Sequence, residues 1–182
     1  MNILLTPIAG AVIIETQTVK DSRGEFTRLY CERTLSDVLA GRRVVQANHS
    51  LTHAQGAIRG LHYQSPPHAE IKLVRCVKGK VWDVVVDLRK NSPTFLRWHA
   101  ETLSPGTKTM VIPEGCAHGF QTLEPECELL YLHTAAYHPE VEGGLAYDDP
   151  AVSITWPLPP KELSTRDSNY PPIGNAFEGL AL

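Results

Sequence analysis

Short β-branched and aromatic runs recur along this chain, each closed by a Gly, Pro or Asn/Asp turn signal. That rhythm restricts the fold more than any other feature, because it leaves no long stretch with three- to four-residue apolar periodicity. The runs predict strands at Gly10–Thr16, Glu25–Tyr30, Val44–Ser50, Ala57–His62, Glu70–Val77, Lys80–Leu88, Leu96–Leu103, Lys108–Ile112, Ala117–Leu123 and Glu128–His133. Lys78-Gly79 reads as a hairpin turn between two long strands, and Pro105-Gly106 and Pro113-Glu114-Gly115 read as further turns. Ser36–Gly41 reads as part of a short helix beginning near Thr34. Many short strands at this spacing point to a sandwich or a double-sheet roll and argue against a βα fold.

After Ala135 the chain becomes polar and glycine-rich. Ala151–Trp156 reads as one more strand, ended by Pro157-Leu158-Pro159-Pro160. A short helix is expected within 160–169, capped by Ser164 with Asp167 in its first turn. With 182 residues, no internal repeat and no linker, one domain over 1–182 is expected. The net charge of −3 comes from mixed signs, so no basic block suggests nucleic acid. No apolar run is long enough to cross a membrane, and Met1–Ala9 lacks the pattern of a signal peptide. Cys31, Cys76, Cys116 and Cys127 have no paired spacing and read as free thiols in a reducing, cytoplasmic compartment.

Candidate chemistry concentrates in Arg59-Gly60-Leu61-His62-Tyr63-Gln64. Regular alternation would turn Arg59 and His62 to opposite faces, but a bulge near Gly60 would bring both to one mouth. An anion site beside a proton-transfer site is one reading; an ordinary hydrogen-bonded histidine and a surface ion pair are the others. Lys72, inside Ile71-Lys72-Leu73-Val74, must reach solvent or a polar cavity, where it could bind phosphate or stabilise an enolate oxygen. His118 follows the Pro113–Gly115 turn. A cupin-type roll usually gathers several histidines and a carboxylate around a metal, but His62-Tyr63-Gln64 offers glutamine where the second imidazole would stand. That donor set is poor for a transition metal. Tyr131 and Tyr137 are either packed phenols or proton donors. Asp87-Leu88-Arg89 reads as a strand-end ion pair.

These residues also carry a family resemblance. Asp21-x-Arg23-Gly24-x-Phe26, Gln46-x-Asn48-x-Ser50, Arg59–Gln64, Lys72-Leu73-Val74, Asp83–Arg89, Ser92-Pro93-Thr94-Phe95, Ile112–Phe120, Asp149-Pro150 and Ser164-x-Arg166-Asp167 occur in order over almost the whole chain. In them the chain resembles the dTDP-4-dehydrorhamnose 3,5-epimerases. The resemblance implies an all-β, cupin-like jelly roll (a double-stranded β-helix) with short peripheral helices, and a homodimer that shares N-terminal strands. It implies no metal, no cofactor, and a nucleotide-diphosphate 4-keto-6-deoxy sugar as substrate. It places the base on His62, the proton donor on Tyr131, enolate stabilisation on Lys72 and the histidine's partner on Asp167, with Asp83 as the alternative partner. It assigns the diphosphate to Arg59 and Arg23, the latter from the other subunit, and the nucleotide and sugar pocket to Gln46, Asn48, His118 and Tyr137. Arg28, Ala47 and Cys116 depart from the family pattern, which leaves open epimerisation at one carbon or another nucleotide-linked keto sugar.

Overall fold

The computed structural model describes residues 1–174 and 176–182. Its strands are β1 (Asn2–Leu5), β2 (Val12–Glu15), β3 (Thr18–Asp21), β4 (Gly24–Thr27), β5 (Gln46–Thr52), β6 (Ile58–Gln64), β7 (Lys72–Lys78), β8 (Val81–Asp87), β9 (Trp98–Leu103), β10 (Lys108–Ile112), β11 (Cys116–Thr122), β12 (Cys127–His133) and β13 (Glu142–Gly144). Two short helices, α1 (Glu32–Leu35) and α2 (Thr165–Ser168), lie at the periphery. The strands form a six-stranded sheet in the order β1-β2-β10-β7-β12-β5 and a five-stranded sheet in the order β13-β6-β11-β8-β9, with β3-β4 as a separate hairpin.

Strand alternation decides what lies between the sheets. Val74 and Cys76 of β7, Met110 and Ile112 of β10 and Leu129 of β12 meet Val81 and Val85 of β8, Leu103 of β9 and Phe120 of β11 in one buried cluster. The opposite parity serves the outer faces. Leu35 and Leu39 cover Val12, Ile14, Leu73 and Val111 on the six-stranded sheet. The segment from Leu145 to Leu180 covers Leu61, Val84, Val86 and Ala117 on the other. Trp156 of that segment stacks edge-on against Trp82, with ring centroids 5.4 Å apart. The buried Asp149 carboxylate accepts the backbone N–H of Ala151 at 2.8 Å and of Ile173 at 2.6 Å. These contacts seat the late segment on the back of the five-stranded sheet, while α2 stands against β6 through Asp167.

Three expectations need correction. Ala151–Trp156 forms no strand; Ile154 and Trp156 pack on a sheet instead of pairing with it. The helix expected near Thr34–Gly41 is Glu32–Leu35, and residues 36–41 continue as turns. Lys78-Gly79 closes no hairpin, because β7 pairs with β10 and β12 while β8 pairs with β9 and β11. The turn instead carries the chain from one sheet to the other, close over β12. A Cβ on Gly79 would lie 2.6 Å from Cys127 Sγ, and the backbone there has φ +77°. Strands β1, β3 and β13 lie outside the expected set. The four cysteines are free, as expected.

Candidate active site

Polar residues replace the apolar core at one end of the roll. On the six-stranded sheet, register aligns Lys72, His133 and Gln46 in one row, and Val74, Tyr131 and Asn48 in the next. On the facing sheet His118 pairs with His62, and Phe120 pairs with Arg59. Two residues, Gly60 and Leu61, therefore stand opposite Gly119 alone. This is the β-bulge expected at Gly60, and it turns both Arg59 and His62 toward the cavity. Glycine is required there: φ is +126°, and a Cβ would meet Gly119 Cα at 2.5 Å and the His118 carbonyl oxygen at 2.8 Å.

The resulting cavity has a volume of about 570 Å³ and is lined by Asn48, Ser50, Arg59, His62, Lys72, His118, Tyr131, His133 and Arg166, among others. A smaller cleft of about 170 Å³ continues from its mouth past Gln46, Glu70, Tyr137 and Glu142. Of the residues singled out in the sequence, Arg59, His62, Lys72, Asn48, His118 and Tyr131 line the main cavity, and Gln46 and Tyr137 line the cleft beside it. Arg23 is not brought there by its own chain. It sits at the tip of the β3-β4 hairpin, paired with Asp21 at 2.6 Å.

Asp167 resolves the choice of partner for His62. Its Oδ1 lies 2.7 Å from His62 Nε2, and its Oδ2 accepts the Gly60 backbone N–H at 3.2 Å. Ser164 caps α2 by accepting the Asp167 N–H at 3.0 Å. Burial pushes the Asp167 carboxyl up, but the hydrogen bonds from His62, Gly60 and Ser164 outweigh it and hold the group below the usual carboxylate range. Asp83 serves His118 instead, with Oδ1 2.8 Å from Nε2. Burial lowers the His118 pKa more than Asp83 raises it, which favours the neutral ring.

Across the cavity, the Tyr131 hydroxyl is 3.1 Å from Ser50 Oγ. Burial pushes the phenol well above its ordinary pKa, so it carries its proton at neutral pH. His62 and Tyr131 thus stand on facing sheets. Lys72 Nζ lies 3.5 Å from Glu70 Oε1. Arg166 Nη1 pairs with Glu142 at 2.5 Å while its Nη2 approaches His62 Nε2 at 3.2 Å. Arg59 donates to the Leu51 carbonyl at 3.4 Å and, among the described residues, pairs with no carboxylate. Glu70, Glu142, His133 and Ser50 were missed in the sequence, where isolated polar residues at strand ends resemble solvated surface. Only the parity of Ser50 with Gln46 and Asn48 could have signalled it.

Facing antiparallel sheets with a polar cavity at one open end define a cupin-type jelly roll, here one with a histidine and a tyrosine on opposing walls. The model of the dTDP-4-dehydrorhamnose 3,5-epimerase family matches residues 5–175, and the chain belongs to that family. It is 42% identical over 172 residues to the dTDP-4-dehydrorhamnose 3,5-epimerase of Shigella flexneri, covering 93% of this chain and 94% of that one. The crystal structure of the Elizabethkingia anophelis dTDP-4-dehydrorhamnose 3,5-epimerase superposes with a TM-score of 0.90 at 36% identity, covering 97% and 98% of the two chains. That of the dTDP-6-deoxy-D-glucose-3,5-epimerase of Legionella pneumophila, in complex with dTDP-4-keto-L-rhamnose, gives 0.86 at 40% identity over 91% and 89%.

Proposed function

We propose that this cavity epimerises a dTDP-linked 4-keto-6-deoxy sugar at C3 and C5, with His62 as the base and Tyr131 as the proton donor. The observation that carries this reading is the placement of the two groups on opposite sheets, with Asp167 held on His62 Nε2 and a protonated phenol facing them. A C–H next to the C4 ketone is acidic because the electron pair left behind spreads onto the carbonyl oxygen. His62 takes that proton on the ring nitrogen not held by Asp167, and the carboxylate stabilises the imidazolium that forms. The Lys72 ammonium faces the oxygen on which negative charge develops. Tyr131 then returns a proton to the same carbon from the other face, which inverts it. Since C3 and C5 flank one carbonyl, one lysine serves both positions.

Arg59, lacking a carboxylate partner among the described residues, is available to the diphosphate. Asn48, Gln46, His118 and Tyr137 border the space left for the sugar and the nucleotide. Arg23 reaches a diphosphate only in a second subunit. The hairpin that carries it exposes Phe26 to 71%, and β1 exposes Leu5 to 88% at a sheet edge. Such apolar surface on an isolated hairpin and an open edge supports a homodimer that shares these N-terminal strands. Free cysteines suit a cytoplasmic enzyme, and one domain spanning 1–182 is the organisation this reading takes.

Turnover of dTDP-4-keto-6-deoxyglucose in heavy water tests the reaction. NMR should find solvent deuterium at both C3 and C5. Deuterium at one carbon only would make the protein a single-carbon epimerase, and no exchange with any of a panel of nucleotide-linked keto sugars would remove the activity.

A further inference from the structure

Glu70 has no part in the chemistry above, yet its side chain is only 10% exposed at the mouth of the cavity. Both its oxygens are engaged. Oε2 lies 2.7 Å from His133 Nδ1, and Oε1 lies 3.5 Å from Lys72 Nζ. Burial pushes the carboxyl up, but the His133 hydrogen bond and the Lys72 charge overcome this and keep it below the usual range.

The Glu70 carboxylate at one ring nitrogen of His133 and the Asn48 amide nitrogen at the other together set the direction of the hydrogen bonds here. A carboxylate only accepts, so His133 Nδ1 carries a proton, and Nε2 is the acceptor for Asn48 Nδ2 at 3.3 Å. The Asn48 carbonyl oxygen accepts from Gln46 Nε2 at 3.2 Å. The Gln46 carbonyl oxygen accepts the Tyr137 backbone N–H at 3.0 Å. One polarity thus runs from Glu70 along the mouth of the site.

Lys72 needs such an anchor. It shares its cavity with Arg59 and Arg166, which repel it, and its stem has a large rotamer entropy to lose. Three neighbouring basic side chains each have a carboxylate of their own, Asp167 for His62, Asp83 for His118 and Glu142 for Arg166, while Arg59 has none among the described residues. Glu70 completes that pattern.

We infer that Glu70 and His133 are positioning residues: Glu70 holds the Lys72 ammonium where the enolate oxygen forms, and His133 fixes the Asn48 and Gln46 amides that face the nucleotide sugar. The inference rests on the reaction proposed above. The two residues act on different steps, so their variants separate. Glu70→Gln keeps an acceptor for His133 but removes the charge beside Lys72. His133→Asn keeps a donor for Glu70, its amide nitrogen standing near the imidazole Nδ1, and removes the acceptor for Asn48.

The test measures deuterium incorporation into dTDP-4-keto-6-deoxyglucose by wild type and variants. E70Q should lower kcat about tenfold, a fraction of the roughly 10²–10³ that loss of an oxyanion donor costs, with KM within about twofold. In a Lys72→Met background E70Q should have no further effect, because it acts through the lysine. H133N should raise KM about fivefold at near-wild-type kcat. If E70Q fails to fold, Glu70→Asp, which withdraws the charge from Lys72, must show the same kcat loss and the same non-additivity. Wild-type kcat in the Glu70 variant, or independent multiplication of its effect with K72M, overturns the role of Glu70. An unchanged KM in H133N overturns that of His133. An inactive wild type overturns the underlying reaction, an outcome distinct from wild-type exchange with indifferent variants.

Discussion

Asp167 holds His62 at 2.7 Å through one carboxylate oxygen and the Gly60 backbone N–H at 3.2 Å through the other. The residue that orients the base therefore also ties down the bulge that presents it. Asp167→Asn preserves the shape and removes the charge that stabilises the imidazolium. It should lower the exchange rate by about 10⁴, the cost of a comparable change in a His–Asp pair. Pre-steady-state deuterium incorporation into the keto sugar checks this, and a loss below tenfold would show that the carboxylate only shapes the site.

Tyr131 separates proton return from proton removal. Tyr131→Phe leaves His62 untouched and removes the donor on the facing wall. Net inversion should fall far more than deuterium wash-in, so recovered substrate should carry deuterium with its starting configuration. Equal slowing of both processes would place Tyr131 elsewhere in the mechanism.

Gly60 is a structural condition of the site. In Gly60→Ala the new methyl group would meet backbone atoms of β11, which cannot rotate away, at a φ of +126°. Destabilisation of about 3 kcal/mol is expected, together with loss of exchange. Thermal unfolding measures the first. A near-native Tm would mean that β6 and β11 can separate without cost.

Asp87 gives a pH dependence of stability remote from the reaction. Burial pushes its carboxyl up, but hydrogen bonds from Arg89, Ser92 and Thr94 bring it down to about 2 from 3.8. A depressed carboxylate stabilises the fold above its unfolded pKa, near 4, and that contribution disappears as pH falls through about 2. Its size is on the order of 2 kcal/mol. Urea unfolding of Asp87→Asn should show a loss of this order at pH 7 and converge with wild type near pH 2.

Most of the strands could be read from period and turn residues, because half-buried strands must alternate. Lys78-Gly79 misled because a tight glycine turn looks the same whether it joins partners in one sheet or crosses between two. Ala151–Trp156 misled because an apolar run that packs on a sheet resembles one that pairs into it. The Gly60 bulge was legible because Arg59 and His62 have opposite parity and a glycine lies between them. The partnership of His62 with Asp167 was open to Asp83 as well until the late segment was seen packed on the back of the five-stranded sheet. Glu70 and His133 acquire meaning only from the row that register makes of Lys72, His133 and Gln46.

The central claim is that one imidazole removes the protons beside the ketone. Deuterium incorporation into dTDP-4-keto-6-deoxyglucose by His62→Ala, with dTDP binding measured alongside to show an intact cavity, tests it most directly. No incorporation at C3 or C5 above the uncatalysed rate is predicted; near-wild-type incorporation at either carbon would contradict it.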